Sequence, residues 1–216
     1  KIKQDWVIQA YDDTRGTPHI IIDNWYNEKE LKSVWHELEF YNLQKNVIKA
    51  EKTKDVAQDT KGNAKSNALR YYLDTFYTSF GQKISPIMAS LYKQRSSQFK
   101  QIVKQAMPLH YRNFCVTNTD NTMVSYYDKG KYYKPHSDSL QFTCLIWLFK
   151  EPKKFKGGDL KLIPAKQTIK CVSNRMLFFP SYLRHQVTKL SSDKKIPFGE
   201  GRYCITHFYN WEAINA

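Results

Sequence analysis

No run of apolar residues in this 216-residue chain approaches the roughly 20 needed to cross a bilayer as a helix, so no membrane partner is expected. The opening stretch KIKQDWVIQAYDD carries no apolar core of a secretory signal. Cysteine is scarce: Cys115, Cys144, Cys171 and Cys204 stand far apart, and no Cys-x-x-Cys pair exists, which argues against a structural zinc site. Each lies in an apolar run, as buried reduced thiols of a cytoplasmic protein would. Acidic residues are also short, 20 against 34 Lys and Arg, for a formal charge of +14. Such an excess can draw nucleic acid or another acidic partner, but the lysines are scattered as on an ordinary solvated face. There is no internal repeat and no low-complexity tract, and 41% hydrophobic content fits one domain spanning 1–216.

What is present divides into two regions. Residues 1–107 read as a mostly helical support with one strand, HIIIDN (19–24). Asn27 is placed to cap a helix whose stripe is Leu31, Val34, Trp35 and Leu38. Residues 49–66 are polar and aperiodic and read as a surface loop. NALRYYLDTFYTSF (67–80) spaces Leu69, Tyr72, Leu73, Phe76 and Phe80 as a helix would, with Arg70 on its solvated face in preference to reaching the mouth of the site. A further helix runs from Ile84 until Pro108 stops it. From 108 to 211 the period becomes extended. YRNFCVT, TMVSYYD, KYYKPHSD, QFTCLIWLF, DLKLIP, QTIKCV, MLFFPS, RHQVTKL and RYCITHFYNW follow one another as short strands separated by turns. The fold expected is mainly β with flanking helices, a double-stranded β-helix or jelly roll on an N-terminal helical support.

On a strand, residues two apart share a side, so His136 and Asp138 would aim an imidazole and a carboxylate at one point. A non-haem Fe(II) centre needs two histidines and a carboxylate on one face, and the downstream histidines are His185 and His207. His185 follows MLFFP and a short loop, which suits a ligand at a barrel mouth. His207 has the opposite strand parity to Arg202 and Thr206 and reads as structural. Arg202 sits among aromatic residues with no acid of matching parity nearby, and a small dicarboxylate would supply its partner.

The order Tyr-x-x-Gly-x-x-Tyr-x-x-His-x-Asp (Tyr127, Gly130, Tyr133, His136, Asp138), then Gly157, Gly158 and Leu160, then NRMLFF ahead of His185, then Arg202 to Thr206, resembles the Fe(II)/2-oxoglutarate-dependent dioxygenases, and within them the prolyl hydroxylase branch. The resemblance implies that His136, Asp138 and His185 bind Fe(II) and that Arg202 pairs with the distal carboxylate of 2-oxoglutarate, with Tyr127 and Thr206 assisting. It implies O2 as co-reactant, succinate as coproduct, ascorbate as reductant and a proline-containing peptide or protein as substrate. Trp147 stands where the oxygen-sensing enzymes carry a cosubstrate tyrosine, and Cys204 where many relatives carry serine. The sixteen residues between His185 and Arg202 exceed the usual spacing and leave Arg184 as a rival for a carboxylate. Tyr133 is expected on the substrate wall, and Gly157 and Gly158 in a turn between strands. Alternative readings keep the chemistry on a nucleic-acid base or free amino acid, or make the chain a non-catalytic jelly-roll binding module.

Overall fold

The computed structural model describes residues 5–12, 16–43, 47–73, 77 and 84–212. Its strands are β1 (Val7–Tyr11), β2 (His19–Asp23), β3 (Ile48–Lys49), β4 (Leu69–Tyr72), β5 (Thr119–Tyr127), β6 (Tyr133–His136), β7 (Phe142–Leu148), β8 (Leu160–Leu162), β9 (Gln167–Ile169), β10 (Arg175–Pro180), β11 (His185–Val187) and β12 (Arg202–Asn210). Its helices are α1 (Glu28–Leu43), α2 (Pro86–Arg95), α3 (Ser97–Ala106) and α4 (Pro108–Cys115). None of them is long and apolar enough to cross a membrane.

The strands form two antiparallel sheets of a jelly roll. The major sheet runs β1-β2-β10-β7-β12-β5-β4-β3 and the minor sheet β6-β11-β8-β9. The major sheet is covered on both faces, so its central strand β7, FTCLIWL, is buried at every position rather than alternating. Side chains still alternate in destination. Cys144, Ile146 and Leu148 join Phe178, Ile205 and Tyr209 in a core with the helical residues Val34, Leu38, Phe99, Val103 and Phe114. Leu145 and Trp147 join Tyr127, Leu177, Phe179 and Cys204 in a second core closed by Leu160, Leu162 and Val187 of the minor sheet. The site described below lies on this inner side.

Local chemistry explains the helix ends. Asn27 caps α1 as expected, and reciprocally: its Oδ1 accepts from the Glu30 N–H at 3.0 Å while Glu30 accepts from the Asn27 N–H at 2.9 Å. Ser85 caps α2 and also donates to Glu37 of α1 at 2.5 Å, while Glu37 accepts from the Ile87 N–H, so one buried carboxylate joins two helices.

Three expected elements differ. NALRYY is not the start of a helix but β4, paired with β5 through Arg70↔Ser125; the continuation through Phe76 and Phe80 lies outside the described residues. Its apolar spacing satisfied both periods, and pairing with β5 decides: Tyr71 and Leu73 turn to the helical core, Arg70 inward. YRNFCVT is the end of α4, because Pro108 opens a helix at its first position and Phe114 packs into the aromatic cluster of Phe99, Phe142, Phe178 and Tyr209. The run from Ile84 to Met107 is broken at Ser96, whose backbone is extended (ψ 153°) and whose hydroxyl caps α3. Strands β1 to β4 extend the major sheet, so the first half supplies more than a helical brace.

His207, on the helical side of β12, is fully buried; its Nδ1 meets Thr122 Oγ1 at 2.9 Å and its Nε2 meets the Ser90 hydroxyl. Burial lowers its pKa to about 3, from 6.5. The unfolded chain takes up this proton near pH 6.5 and the folded chain only near 3, so acidification through that window favours unfolding. Buried His19 shifts the same way. Urea unfolding is therefore expected to show stability falling from pH 7 to 5, by at most about 1.4 kcal/mol per pH unit for each such histidine. His207→Gln should show a shallower slope, and an unchanged slope would contradict this account.

Candidate metal centre

The antiparallel pairing of β6 with β11 sets His136 directly opposite His185, bringing together residues 49 positions apart in the chain. Asp138 lies just past the end of β6 rather than on the strand. Its N–H is held by the Ser181 carbonyl at 3.0 Å, and its Oδ2 accepts from the Thr143 hydroxyl at 2.7 Å. His136 Nε2 stands 3.6 Å from Asp138 Oδ1, and His185 Nε2 3.7 Å from Oδ2. One donor atom from each of the three residues lies within 4.8 Å of the others, a group assembled from two His and one carboxylate.

The protonation pattern suits a cation. Each imidazole places Nδ1 2.8 Å from the carbonyl two residues earlier, Lys134 for His136 and Leu183 for His185. A carbonyl only accepts, so Nδ1 carries the hydrogen and Nε2 presents its lone pair to the shared centre. Burial, with His185 alongside, pushes the His136 pKa down to about 2. The short separation of His136 from Asp138 is therefore not an ion pair of a charged imidazole; the donor atoms converge on a point suited to a cation. Tyr133 stacks on His136 at 3.5 Å and Phe179 meets His185 edge-on at 4.9 Å, which fixes the ring planes.

The cavity in front of these groups is walled by Tyr127, Tyr133, Leu145 and Thr206. Arg202 is wholly buried and does not reach the open cavity; Tyr127 touches both. The guanidinium lies 4.9 Å from the Tyr127 ring and 5.3 Å from the Trp147 ring, and Nε, Nη1 and Nη2 all lack a hydrogen-bond partner. The thiols of Cys171 and Cys204 approach it, but a thiol is a weak acceptor. The Trp147 indole N–H is also unpartnered. Two aromatic faces offset part of the cost of burying this charge, and five N–H donors remain unused. Such an orphaned fork fits a carboxylate brought by a ligand. Gly158 makes room: at φ +74°, a Cβ there would stand 3.1 Å from Arg202 Cδ and 3.2 Å from Leu190 Cδ1.

Eight of the nine residues singled out in the sequence thus sit around one chamber or, for Arg202 and Trp147, directly behind its wall. Arg184 is apart from them. It is exposed, alternation turns it away from the side His185 faces, and its carbonyl accepts from the Ile163 N–H at 2.9 Å. His207 is on the other face of the sheet, as its parity required. Sequence reasoning preferred a solvated helix face for Arg70 over the mouth of the site, and the structure places it 2% exposed on the cavity wall. The available signal was the alternation in LRYYL, read with the helical period instead.

Three comparisons bear on the chain. Residues 122–210 match the model of the 2OG-Fe(II) oxygenase superfamily. An uncharacterized PKHD-type hydroxylase of Synechocystis sp. is 28% identical over 169 residues, 67% of this chain and 52% of that protein. The chain thus spans about half the length of this curated relative. Among solved structures, a prolyl hydroxylase of Trichoplax adhaerens in complex with a hypoxia inducible factor peptide fragment superposes with a TM-score of 0.61 at 16% identity, covering 92% of this chain and 84% of that one. A prolyl-4-hydroxylase of Pseudomonas putida gives 0.55 at 12% identity, covering 98% and 95%. At those identities the superpositions speak for a common fold.

Proposed function

We propose that this chain, whose residues 122–210 match the model of the 2OG-Fe(II) oxygenase superfamily, is an Fe(II)- and 2-oxoglutarate-dependent dioxygenase that hydroxylates prolyl residues of a peptide or protein. The observation that carries the reading is the pairing of two features: a His136–Asp138–His185 ligand set within 4.8 Å on the chamber, and, directly behind its wall, a buried Arg202 whose nitrogens have no hydrogen-bond partner. Each fits one part of the same cofactor and cosubstrate pair.

In this reading His136, Asp138 and His185 hold Fe(II), and Arg202 takes the distal carboxylate of 2-oxoglutarate in a bidentate fork. Trp147 offers its free indole N–H, and Tyr127 and Thr206 line the cosubstrate's path. Bound iron and 2-oxoglutarate supply the oxidation, in which one atom of O2 enters succinate as CO2 leaves and the other enters a substrate C–H bond. The chain's own contribution is to orient and to exclude water. The Thr143 hydroxyl fixes one Asp138 oxygen, the backbone carbonyls fix both imidazole tautomers, and the Tyr133 and Phe179 rings cover the histidine faces. Ascorbate is the reductant expected to keep the iron ferrous. A prolyl substrate is supported by the likeness to prolyl hydroxylases, one of them solved with a peptide. A nucleic-acid base remains the second reading on the strength of the +14 charge.

The test is to incubate iron-loaded protein with 2-oxoglutarate, ascorbate, O2 and a panel of proline-containing peptides, measuring succinate and the site of oxygen gain by tandem mass spectrometry. Succinate with one added oxygen on proline is expected. Oxygen gained on a base or free amino acid instead would overturn the prolyl substrate, and no succinate under any condition would overturn the dioxygenase.

A further inference from the structure

The chamber holds a second buried cation for which the proposed chemistry has no use. Arg70 projects from β4 with its side chain 3% exposed, and its guanidinium carbon lies 5.6 Å from the centre of the Tyr133 ring. Tyr133 in turn stacks on His136, so one ring separates Arg70 from a residue of the ligand set. Its electrostatic needs are poorly met. Nε has no hydrogen-bond partner, while Nη1 makes long contacts to Thr53 Oγ1 at 3.2 Å, Tyr72 Oη at 3.5 Å and Asp55 Oδ1 at 3.5 Å. A desolvated guanidinium matched to a carboxylate makes two parallel bonds of about 2.7–2.9 Å. Asp55 cannot offer them as it stands. Its side chain is 55% exposed, and both its oxygens accept from the Tyr72 hydroxyl, at 2.6 and 2.9 Å.

We infer that Arg70 is the anchor for a carboxylate on the substrate, carried by an acidic residue beside the one that is oxidised. The inference rests on the dioxygenase reading above and names a feature of its substrate. 2-Oxoglutarate does not supply this carboxylate. Its distal end has the unpaired fork of Arg202, and its 2-oxo acid end belongs at the metal. Arg70 faces the same cavity from β4, beside half-exposed Asp55, on the route between the ligand set and solvent. A chain entering by that route meets Arg70 before it meets the metal. One residue step of about 3.3–3.6 Å plus an Asp or Glu side chain covers the distance across the Tyr133 ring. Asp55 then serves as a weak internal substitute, holding the empty fork in place through Tyr72 and yielding it to a better-matched carboxylate. The net charge of +14 favours approach of an acidic segment.

Binding to the Mn(II)-loaded protein with 2-oxoglutarate, which needs no turnover, tests the inference separately from the reaction. The probes are blocked five-residue peptides with a central proline followed by Asp or by Asn, together with free L-proline, measured by calorimetry. The wild type is expected to prefer the Asp peptide about tenfold or more. Arg70→Gln should bind the two peptides alike, Arg70→Lys should keep a reduced preference, and Asp55→Asn should strengthen Asp-peptide binding by removing the competitor. Affinity for 2-oxoglutarate in each variant reports that the chamber is still folded. Retained preference in Arg70→Gln overturns the inference. So does selective loss of 2-oxoglutarate binding, which would make Arg70 part of the cosubstrate site. Arg70-dependent binding of free L-proline in place of the peptides would overturn the acidic-peptide source of the carboxylate. If the Asp preference holds and depends on Arg70 but no proline gains oxygen, the prolyl reading falls and the anchor stands.

Discussion

Replacing Asp138 by alanine is expected to weaken Fe(II) binding by well over 100-fold and to abolish succinate formation, because loss of a metal-binding side chain should exceed the 10–100-fold cost of losing an outer partner. Asp138 is the sole carboxylate in the three-residue group, and its position is over-determined by the Ser181 carbonyl on its N–H and the Thr143 hydroxyl on Oδ2. Without it two neutral imidazoles remain, which hold a divalent ion weakly and leave its charge unbalanced. The measurement is an anaerobic titration with Co(II), followed by its visible absorption, beside a thermal melt of the metal-free protein. The melt should change little, since the Thr143 hydroxyl that Asp138 releases keeps a partner in the Ser181 hydroxyl at 2.8 Å. Co(II) affinity within tenfold of the wild type would remove Asp138 from the metal site.

Arg202→Leu has the second largest expected effect, and it runs in opposite directions for two properties. The wild-type guanidinium is buried, cationic and without a hydrogen-bond partner on any nitrogen. Replacing buried charge by a well-packed apolar side chain is commonly neutral or stabilising by about 1–4 kcal/mol. The ligand-free variant should therefore melt at or above the wild-type temperature. Stabilisation by 2-oxoglutarate should disappear, because the carboxylate loses its bidentate partner, and Km for 2-oxoglutarate should rise by roughly 100-fold or more, taking about 3 kcal/mol for a charge-assisted pair. A substantially destabilised ligand-free variant would show that Arg202 is matched within the fold and would end the case for a ligand carboxylate there. Unchanged 2-oxoglutarate affinity would do the same by a different route.

Much of this site was legible in the chain because its clues are local. His136 and Asp138 are two residues apart, Arg202 and Thr206 four apart on one strand, and Gly157 and Gly158 adjoin with φ of +75° and +74°. Strand parity settled His207 against His185 before any partner was known. The Asn27 cap and the strand in QFTCLIWLF were likewise written in short windows of sequence.

Other features depended on partners far along the chain. Whether LRYY would coil or extend was undecided by its own pattern, since its apolar positions satisfy both periods; the open edge of β5 decided it, because pairing satisfies a row of backbone donors and acceptors. That choice turned Arg70 from a solvated face into the chamber. In the same way, Pro108 and the aromatic cluster around Phe114 overrode the strand-like composition of YRNFCVT. The sequence by itself determined which residues could ligate a metal and which arginine lacked a local acid. Only the tertiary structure set His136 against His185, emptied the surroundings of Arg202 of acceptors and brought Arg70 to face the same cavity, because sheet register and desolvation depend on contacts between segments distant in the chain.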